Sequence, residues 1–250
     1  MNAETMYIGN VQWRGEWPVE LKSQEVHVWR MDLRSIHAQH MQLTKLLSPD
    51  EWAKAQSFHF EKDRERFIIT RAMLRTILGH YLQQRPEALT FEYTSYGKPV
   101  LFNHEGGNSM SFNVSHSGDM ALYAVASHSL VGIDVENVRR DQDIITIAQR
   151  FFTARENSSI IEGGENARYI FYQYWTRKEA LLKAMGKGVS YPMEQCDVSE
   201  VNGDRLAPVV LPNDEANNTN WYVMDLFPGD DYAGAIAIEG ENWDISYWNT

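Results

Sequence analysis

Apolar residues along this 250-residue chain fall into two kinds of run. Short runs rich in β-branched and aromatic residues, bounded by polar or Gly-containing segments, predict strands. These lie near Val26 to Leu33, near Leu89 to Tyr93, over 120–126 and 130–136, and near Val209, Tyr222 and Ala233. Longer runs with apolar residues three and four apart predict helices. One opens at Ser48-Pro49 and runs into the sixties, a second ends at Tyr81, a third spans about Asp143 to Phe152, and a fourth Tyr169 to Ala184. The runs 120–126 and 130–136 read as a hairpin, and 158–166, with Gly163-Gly164, reads as a mobile loop. Strands and helices mix without strict βαβ alternation, which predicts an α+β fold. The polar, Gly-rich stretch Asn103 to Asn108 divides the chain into halves of 1–107 and 108–250. No internal sequence repeat is visible.

The pattern also carries chemistry. In Val131-Gly132-Ile133-Asp134-Val135-Glu136 the two carboxylates stand two apart, so on a strand both leave one face. In the segment Trp175 to Lys183, a spacing of four puts Trp175, Glu179 and Lys183 on one side of a helix. Each pattern alone is ordinary: a solvated strand face, or an i,i+4 pair contributing about 0.2–0.5 kcal/mol. Where strand and helix meet, three carboxylates and an ammonium converge. Oxygen donors without supporting His or Cys suit Mg²⁺, which keeps waters and binds phosphate. Upstream, Phe112 to Asp119 (Phe-Asn-Val-Ser-His-Ser-Gly-Asp) reads as a phosphate-binding turn with hydroxyl, imidazole and backbone N–H donors. Ser115 and His116 are neighbours on extended chain and point apart, which argues against a nucleophile and its base. Tyr96-Gly97-Lys98-Pro99 is a turn in which Pro99 holds Lys98 extended.

Composition narrows the classes. The chain has 23 Lys and Arg against 34 Asp and Glu, a net charge of −11, which argues against a nucleic-acid binder. The single cysteine, Cys196, excludes an internal disulfide and, with no Cys/His cluster in the sequence, argues against zinc. Neither a signal peptide nor an apolar run of about 20 residues is present, so a cytoplasmic protein without membrane contact is expected. Anionic partners would need local basic clusters, such as Lys54, Lys62, Arg64, Arg66, Arg71 and Arg75, or Arg139-Arg140 with Arg150 and Arg155.

In this order, Tyr-Gly-Lys-Pro, Phe-Asn-x-Ser-His-Ser, Val-Gly-Ile-Asp-x-Glu and Trp-x-x-Lys-Glu-Ala-x-x-Lys resemble the 4′-phosphopantetheinyl transferases. The match is to the larger, surfactin-synthetase-activating type. The resemblance implies two similar α/β halves in a pseudo-two-fold arrangement, with coenzyme A between them. It implies transfer of the 4′-phosphopantetheine arm of coenzyme A to a serine of an apo acyl or peptidyl carrier protein, releasing adenosine 3′,5′-bisphosphate. By position, Asp134, Glu136 and Glu179 are then the Mg²⁺ ligands, Glu179 also a base for the serine, and Lys183 the group that stabilises the leaving phosphate. Lys98, Ser115 and His116 fall to the phosphates, Arg66 and Arg75 to the adenosine end, and Lys54 and Lys178 join the coenzyme A set. Trp175 packs beneath the site, and Gly186 ends the helix. Glu51 and Phe67 depart from the family's usual basic and hydroxyl residues. Two fused halves imply a monomer. The rival readings are a Mg²⁺-dependent phosphohydrolase acting on coenzyme A or a nucleotide, and a carrier-binding protein without activity. The four residues Asp134, Glu136, Glu179 and Lys183 speak against the latter.

Overall fold

Both faces of the central strands are apolar, and the packing shows why. A computed structural model describes residues 13–18, 20–95, 97–101, 110–187, 191–201, 203–211 and 220–250. The Asn103 to Asn108 divider, and Tyr96 and Gly188 of the motifs, lie outside these. In the first part, β1 (Glu25–Asp32) is followed by α1 (His40–Leu43), α2 (Pro49–Gln56) and the long α3 (Glu61–Leu82). The small pair β2 (Phe91–Tyr93) and β3 (Pro99–Leu101) precedes β4 (Met110–Ser117) and β5 (Met120–Ser127). The second part runs β6 (Val131–Asn137), α4 (Ile144–Phe151), α5 (Ala154–Glu162), α6 (Ala167–Met185), β7 (Ala207–Val209), β8 (Trp221–Leu226), β9 (Tyr232–Glu239) and β10 (Asp244–Asn249). One sheet has the order β10-β1-β5-β4 and the other β6-β9-β8-β7.

The sheets pack face to face, each with a long helix outside. Val26, Val28, Leu122, Ala124 and Ala126 meet Val131, Ile133, Val135, Met224, Ile236 and Ile238 in the middle. On the outer face of the first sheet, Trp29, Met31, Ala121, Tyr123 and Val125 pack against Ile69, Leu74, Ile77 and Leu78 of α3. On the outer face of the second, Val223, Ala233, Ala235 and Ala237 pack against Phe171, Tyr172, Ala180, Leu181 and Ala184 of α6. The order is helix, sheet, sheet, helix, an α+β architecture. The two parts share a plan: β1 pairs with β5 and β5 with β4, as β6 pairs with β9 and β9 with β8, each with a long helix between, while β10 crosses to pair with β1.

Several sequence expectations shift. The strands 120–126 and 130–136 are not a hairpin: β5 pairs with β1 and β4, and β6 with β9. The true hairpin is β4–β5, turning at Gly118, whose φ of 58° suits glycine. The segment Phe112 to Asp119 is therefore mostly strand, not a phosphate-binding turn. By sheet membership β4 and β5 go with β1 and β10, whereas β6 goes with β9, β8 and β7. Residues 158–162 belong to α5, whose start Thr153 and Glu156 close a capping box. The helix expected from Ser48 into the sixties stops at Gln56, and α3 starts afresh at Glu61.

Candidate active site

The centre of the site is set by a missing side chain. Gly132 faces α6, and a Cβ there would lie 2.0 Å from the Ala180 carbonyl oxygen and 2.4 Å from the Ala184 nitrogen. Only glycine lets the helix backbone rest on β6. With period two, Asp134 and Glu136 follow Gly132 on that face of β6. One helical turn apart, Glu179 and Lys183 descend towards them from α6. Lys183 Nζ donates to Asp134 Oδ1 at 2.6 Å and to Ser115 Oγ at 2.9 Å, and Ser115 Oγ donates to the same carboxylate oxygen at 2.7 Å.

The first sheet contributes through its edge strand. Asn113, Ser115 and Ser117 alternate along β4 and all reach β6. Asn113 Oδ1 accepts from the Ile133 N–H at 2.9 Å, and Ser117 Oγ donates to Glu136 Oε2 at 2.6 Å while accepting from the Asn137 N–H. Arg140 Nη1 adds a second bond to Glu136 Oε2 at 2.8 Å. The spacing Asn-x-Ser-x-Ser is thus a polar seam joining the two halves. Lys98 closes the other side, with Nζ donating to the Lys183 carbonyl at 2.7 Å. Burial, with a smaller contribution from Lys183, lowers the Lys98 pKa to about 8.

Asp134 is 4% exposed, and its Oδ2 is buried without a hydrogen-bond partner. Burial raises the pKa of Asp134 against the opposing pull of Lys183 and Ser115. Burial and then the Asp134 charge raise that of Glu179. Among the described residues no hydrogen bond or ion pair engages the Glu179 carboxylate. Two clefts flank the seam. One, of 280 Å³, is lined by Lys98, Phe112, Val114, Glu179, Leu182 and Lys183. The other, a cleft of 410 Å³, has the basic residues Arg66 and Arg140 in its wall with His116, Phe67, Ser117 and the acidic Asp63, and Arg66 donates to Asp119 at 2.9 Å. His116 points opposite to Ser115, as neighbours on a strand must, and is solvent-exposed within this cleft. The surrounding protein, then Lys183 and Arg66, lower its pKa and favour the neutral ring.

Comparison with known proteins decides the family. The 4′-phosphopantetheinyl transferase superfamily matches residues 130–237, and the N-terminal region of 4′-phosphopantetheinyl transferases matches 33–129. The 4′-phosphopantetheinyl transferase HetI of Nostoc sp. is 37% identical over 92% of this chain and 94% of its own length. The psf-1 transferase of Bacillus pumilus is 32% identical over 74% of this chain and 77% of its own, and Sfp of Bacillus subtilis 29% over 67% and 72%. The chain belongs to the 4′-phosphopantetheinyl transferases. It is a transferase that moves the phosphopantetheine group of coenzyme A to carrier proteins, and the phosphohydrolase reading is not favoured.

The fold does not bring together every residue the motifs nominate. Asp134, Glu136, Glu179, Lys183, Ser115 and Lys98 meet at the seam, and His116 and Arg66 meet in the basic cleft. Arg75 does not reach either cleft. It is 1% exposed, gives Glu51 a 2.6 Å hydrogen bond and donates to the carbonyls of Pro86 and Leu89, so it ties α2 and the 86–89 turn to α3. That partnership also accounts for Glu51, an acid where the family often has a base. Lys178 is likewise 1% exposed, bound to Glu156 at 2.8 Å and to the carbonyls of Met193 and Cys196. It holds α6 to α5 and the 193–196 turn. Lys54 is exposed on α2 with its ammonium 5.6 Å from the Phe67 ring centroid, beside the basic cleft. Phe67 therefore lines this cleft in place of a hydroxyl. Trp175 stacks on Phe171 at 6.0 Å, and Gly186 caps α6 at φ 65°. Arg140, absent from the motif-derived set, is the residue that sequence reading left among the general basic clusters. Its closeness to Glu136 in sequence was the available signal.

The carboxylates converge less tightly than the motif spacing suggests. Asp134 Oδ1 is engaged by Lys183, and Glu136 Oε2 by Ser117 and Arg140. Among the described residues, the trio with donor atoms all within 4.8 Å of one another is His37, His40 and Glu65.

Proposed function

We propose that the transferase binds Mg²⁺ with Asp134, Glu136 and Glu179 and passes phosphopantetheine from coenzyme A to a serine of an apo acyl or peptidyl carrier protein. The observation that carries the metal assignment is the buried, unpartnered Oδ2 of Asp134 beside two further carboxylates. A carboxylate oxygen out of water without a donor is costly, and a hard cation is the partner this donor set suits. When bound, Mg²⁺ would neutralise charge on the pyrophosphate. The chain's own groups do the rest. Glu179, without a hydrogen bond among the described residues and lining the cleft, takes the proton of the attacking serine. The serine oxygen forms a bond to the pantetheine-side phosphorus, and the bond to the bridging oxygen breaks. Lys183 stabilises the charge that this oxygen gains on the departing adenosine 3′,5′-bisphosphate. His116, Arg66 and Arg140 make the basic cleft a seat for the 3′-phosphate. Because both halves of the seam lie in one chain, the reading includes a monomeric enzyme.

The test is intact-mass analysis of several apo-carriers incubated with the enzyme, coenzyme A and Mg²⁺. A phosphopantetheine mass increment is expected on the carrier serine, lost with chelator, and reduced at least about 100-fold in Asp134→Asn. Consumption of coenzyme A at the same rate without any carrier would overturn the reading. An Asp134→Asn enzyme with full activity and an unchanged Mg²⁺ requirement would remove the metal assignment.

A further inference from the structure

Remote from the carboxylates of β6, a second cluster has the geometry of a metal centre. Residues Leu33–Gln39 form a 3-10 helix that runs into α1. Side chains three apart nearly eclipse on such a helix. His37 and His40 accordingly stack, ring planes 17° apart and centroids 5.7 Å apart. From α3, Glu65 presents Oε2 at 3.4 Å from His37 Nδ1 and Oε1 at 3.7 Å from His40 Nε2.

Against the expectation from composition, which saw no Cys/His cluster, we propose that His37, His40 and Glu65 form a zinc-binding site. Zinc bonded to nitrogen and oxygen at about 2.0–2.1 Å in a tetrahedron sets its donors about 3.4 Å apart, and one donor atom from each of the three residues already lies within 4.8 Å of the others. The orientation of His40 is already fixed for it. His40 Nδ1 lies 2.8 Å from the His37 carbonyl oxygen, which can only accept. The proton therefore sits on Nδ1, and the Nε2 lone pair is left to face Glu65, the arrangement that backbone carbonyls impose on metal-bound histidines. Two imidazoles and one carboxylate suit Zn²⁺ better than the hard ions Mg²⁺ and Ca²⁺. The His37 side chain is 60% exposed, so an ion can enter and a water can fill the fourth position. A 420 Å³ cavity beside the cluster shares Arg66 with the His116 cleft. Zinc would thus pin the segment 33–43 to α3 one residue before Arg66. The proposal stands apart from the Mg²⁺ reading and uses none of its residues.

The experiment is equilibrium dialysis of the full-length, chelator-treated protein against Zn²⁺ in excess Mg²⁺, with bound zinc quantified and melting followed in parallel. One zinc per chain is expected, with a rise in Tm because binding favours the folded state. Asp134→Asn should keep both, whereas His40→Gln and Glu65→Gln should weaken zinc binding more than about tenfold and abolish the Tm rise. Co²⁺ in place of zinc should give a tetrahedral visible spectrum that Glu65→Gln loses. Zinc binding unchanged in His40→Gln and Glu65→Gln, or lost in Asp134→Asn instead, overturns the proposal and leaves the cluster as His–Glu ion pairs. If Glu65→Gln unfolds, the exposed His37→Asn carries the same comparison, and its retention of zinc overturns the site.

Discussion

Lysine and arginine are almost never fully buried unless paired, and Lys178 and Arg75 show how that rule misleads a reading by motif. Both sit among charged residues that do line the clefts, but their partners, Glu156 and Glu51, come from other elements. Nothing local marks such a pairing, so the sequence could not sort ligands from struts here. Removing one member of a buried pair strands the other and costs about 3–5 kcal/mol. Lys178→Met should therefore lower the urea midpoint substantially, and adding Glu156→Gln should recover much of it, with KM for coenzyme A little changed. A Lys178→Met enzyme of normal stability but weakened coenzyme A binding would restore it as a ligand. His116 offers the opposite case, exposed and unspent. Losing a hydrogen bond to a charged phosphate costs about 1.5–3 kcal/mol, or roughly 10- to 150-fold in affinity. The 3′-phosphate does not react, so His116→Ala should raise KM for coenzyme A with little change in kcat. Dephospho-coenzyme A, which lacks that phosphate, should show no such penalty. Equal losses for both substrates would make His116 a structural residue.

At the scale of elements, the site depends on how closely α6 lies on β6. The small residues Gly132, Ala180 and Ala184 set that distance, and Asp134 and Lys183 meet only because of it. Gly132→Ala adds a single methyl group but places it against helix backbone, which cannot move aside alone. Overpacking of this kind costs about 1–3 kcal/mol or more. The helix should lift, with transfer activity falling far more than for an Ala change elsewhere on β6, and thermal unfolding should move down. Near-normal activity and Tm in Gly132→Ala would show that the contact is slack. The strands β1, β5, β6, β8 and β9 were legible because their apolar runs are dense. Their pairing was not, since strands apolar on both faces carry no mark of which neighbour they take. β5 and β6 are three residues apart yet enter different sheets. β10 was missed because Asp244–Asn249 has only half-buried positions over most of its length and pairs in parallel with β1 at the far end of the chain. In α5, the signal Thr153-x-x-Glu156 was present, but Ser158-Ser159 and Gly163-Gly164 outweighed it.

On the scale of the whole molecule, the four motifs announced the chemistry, while the repeated plan of the two halves left no trace in the sequence, because packing constrains size and polarity rather than identity. On the proposed reading, a chain of net charge −11 holds its anionic substrate where Arg66, Arg140 and His116 line one cleft and Asp63 is the single acid among its described residues, since local fields outweigh distant charge there. The halves are not separable bodies. Their inner sheet faces form one shared core, β4 is stitched to β6 by Asn113, Ser115 and Ser117, and β10 leaves the second half to pair with β1 in the first. Cutting at the β5–β6 link would expose Val26, Val28, Leu122, Ala124 and Ala126 on one fragment and Ile133, Val135, Met224 and Ile236 on the other. A fully buried large apolar side chain contributes about 1.5–3 kcal/mol, so the loss over this set is comparable with the usual 5–15 kcal/mol of a whole domain. Fragments 1–129 and 130–250 should therefore fail to fold separately, and the intact chain should unfold in one step. Tryptophan fluorescence and far-UV circular dichroism should give coincident urea transitions, and removal of Asp244–Asn249 should lower the common midpoint rather than that of one half. Two resolved transitions, or a fragment with cooperative unfolding of its own, would show that each half carries a sufficient core and that the catalytic seam forms by docking two folded units.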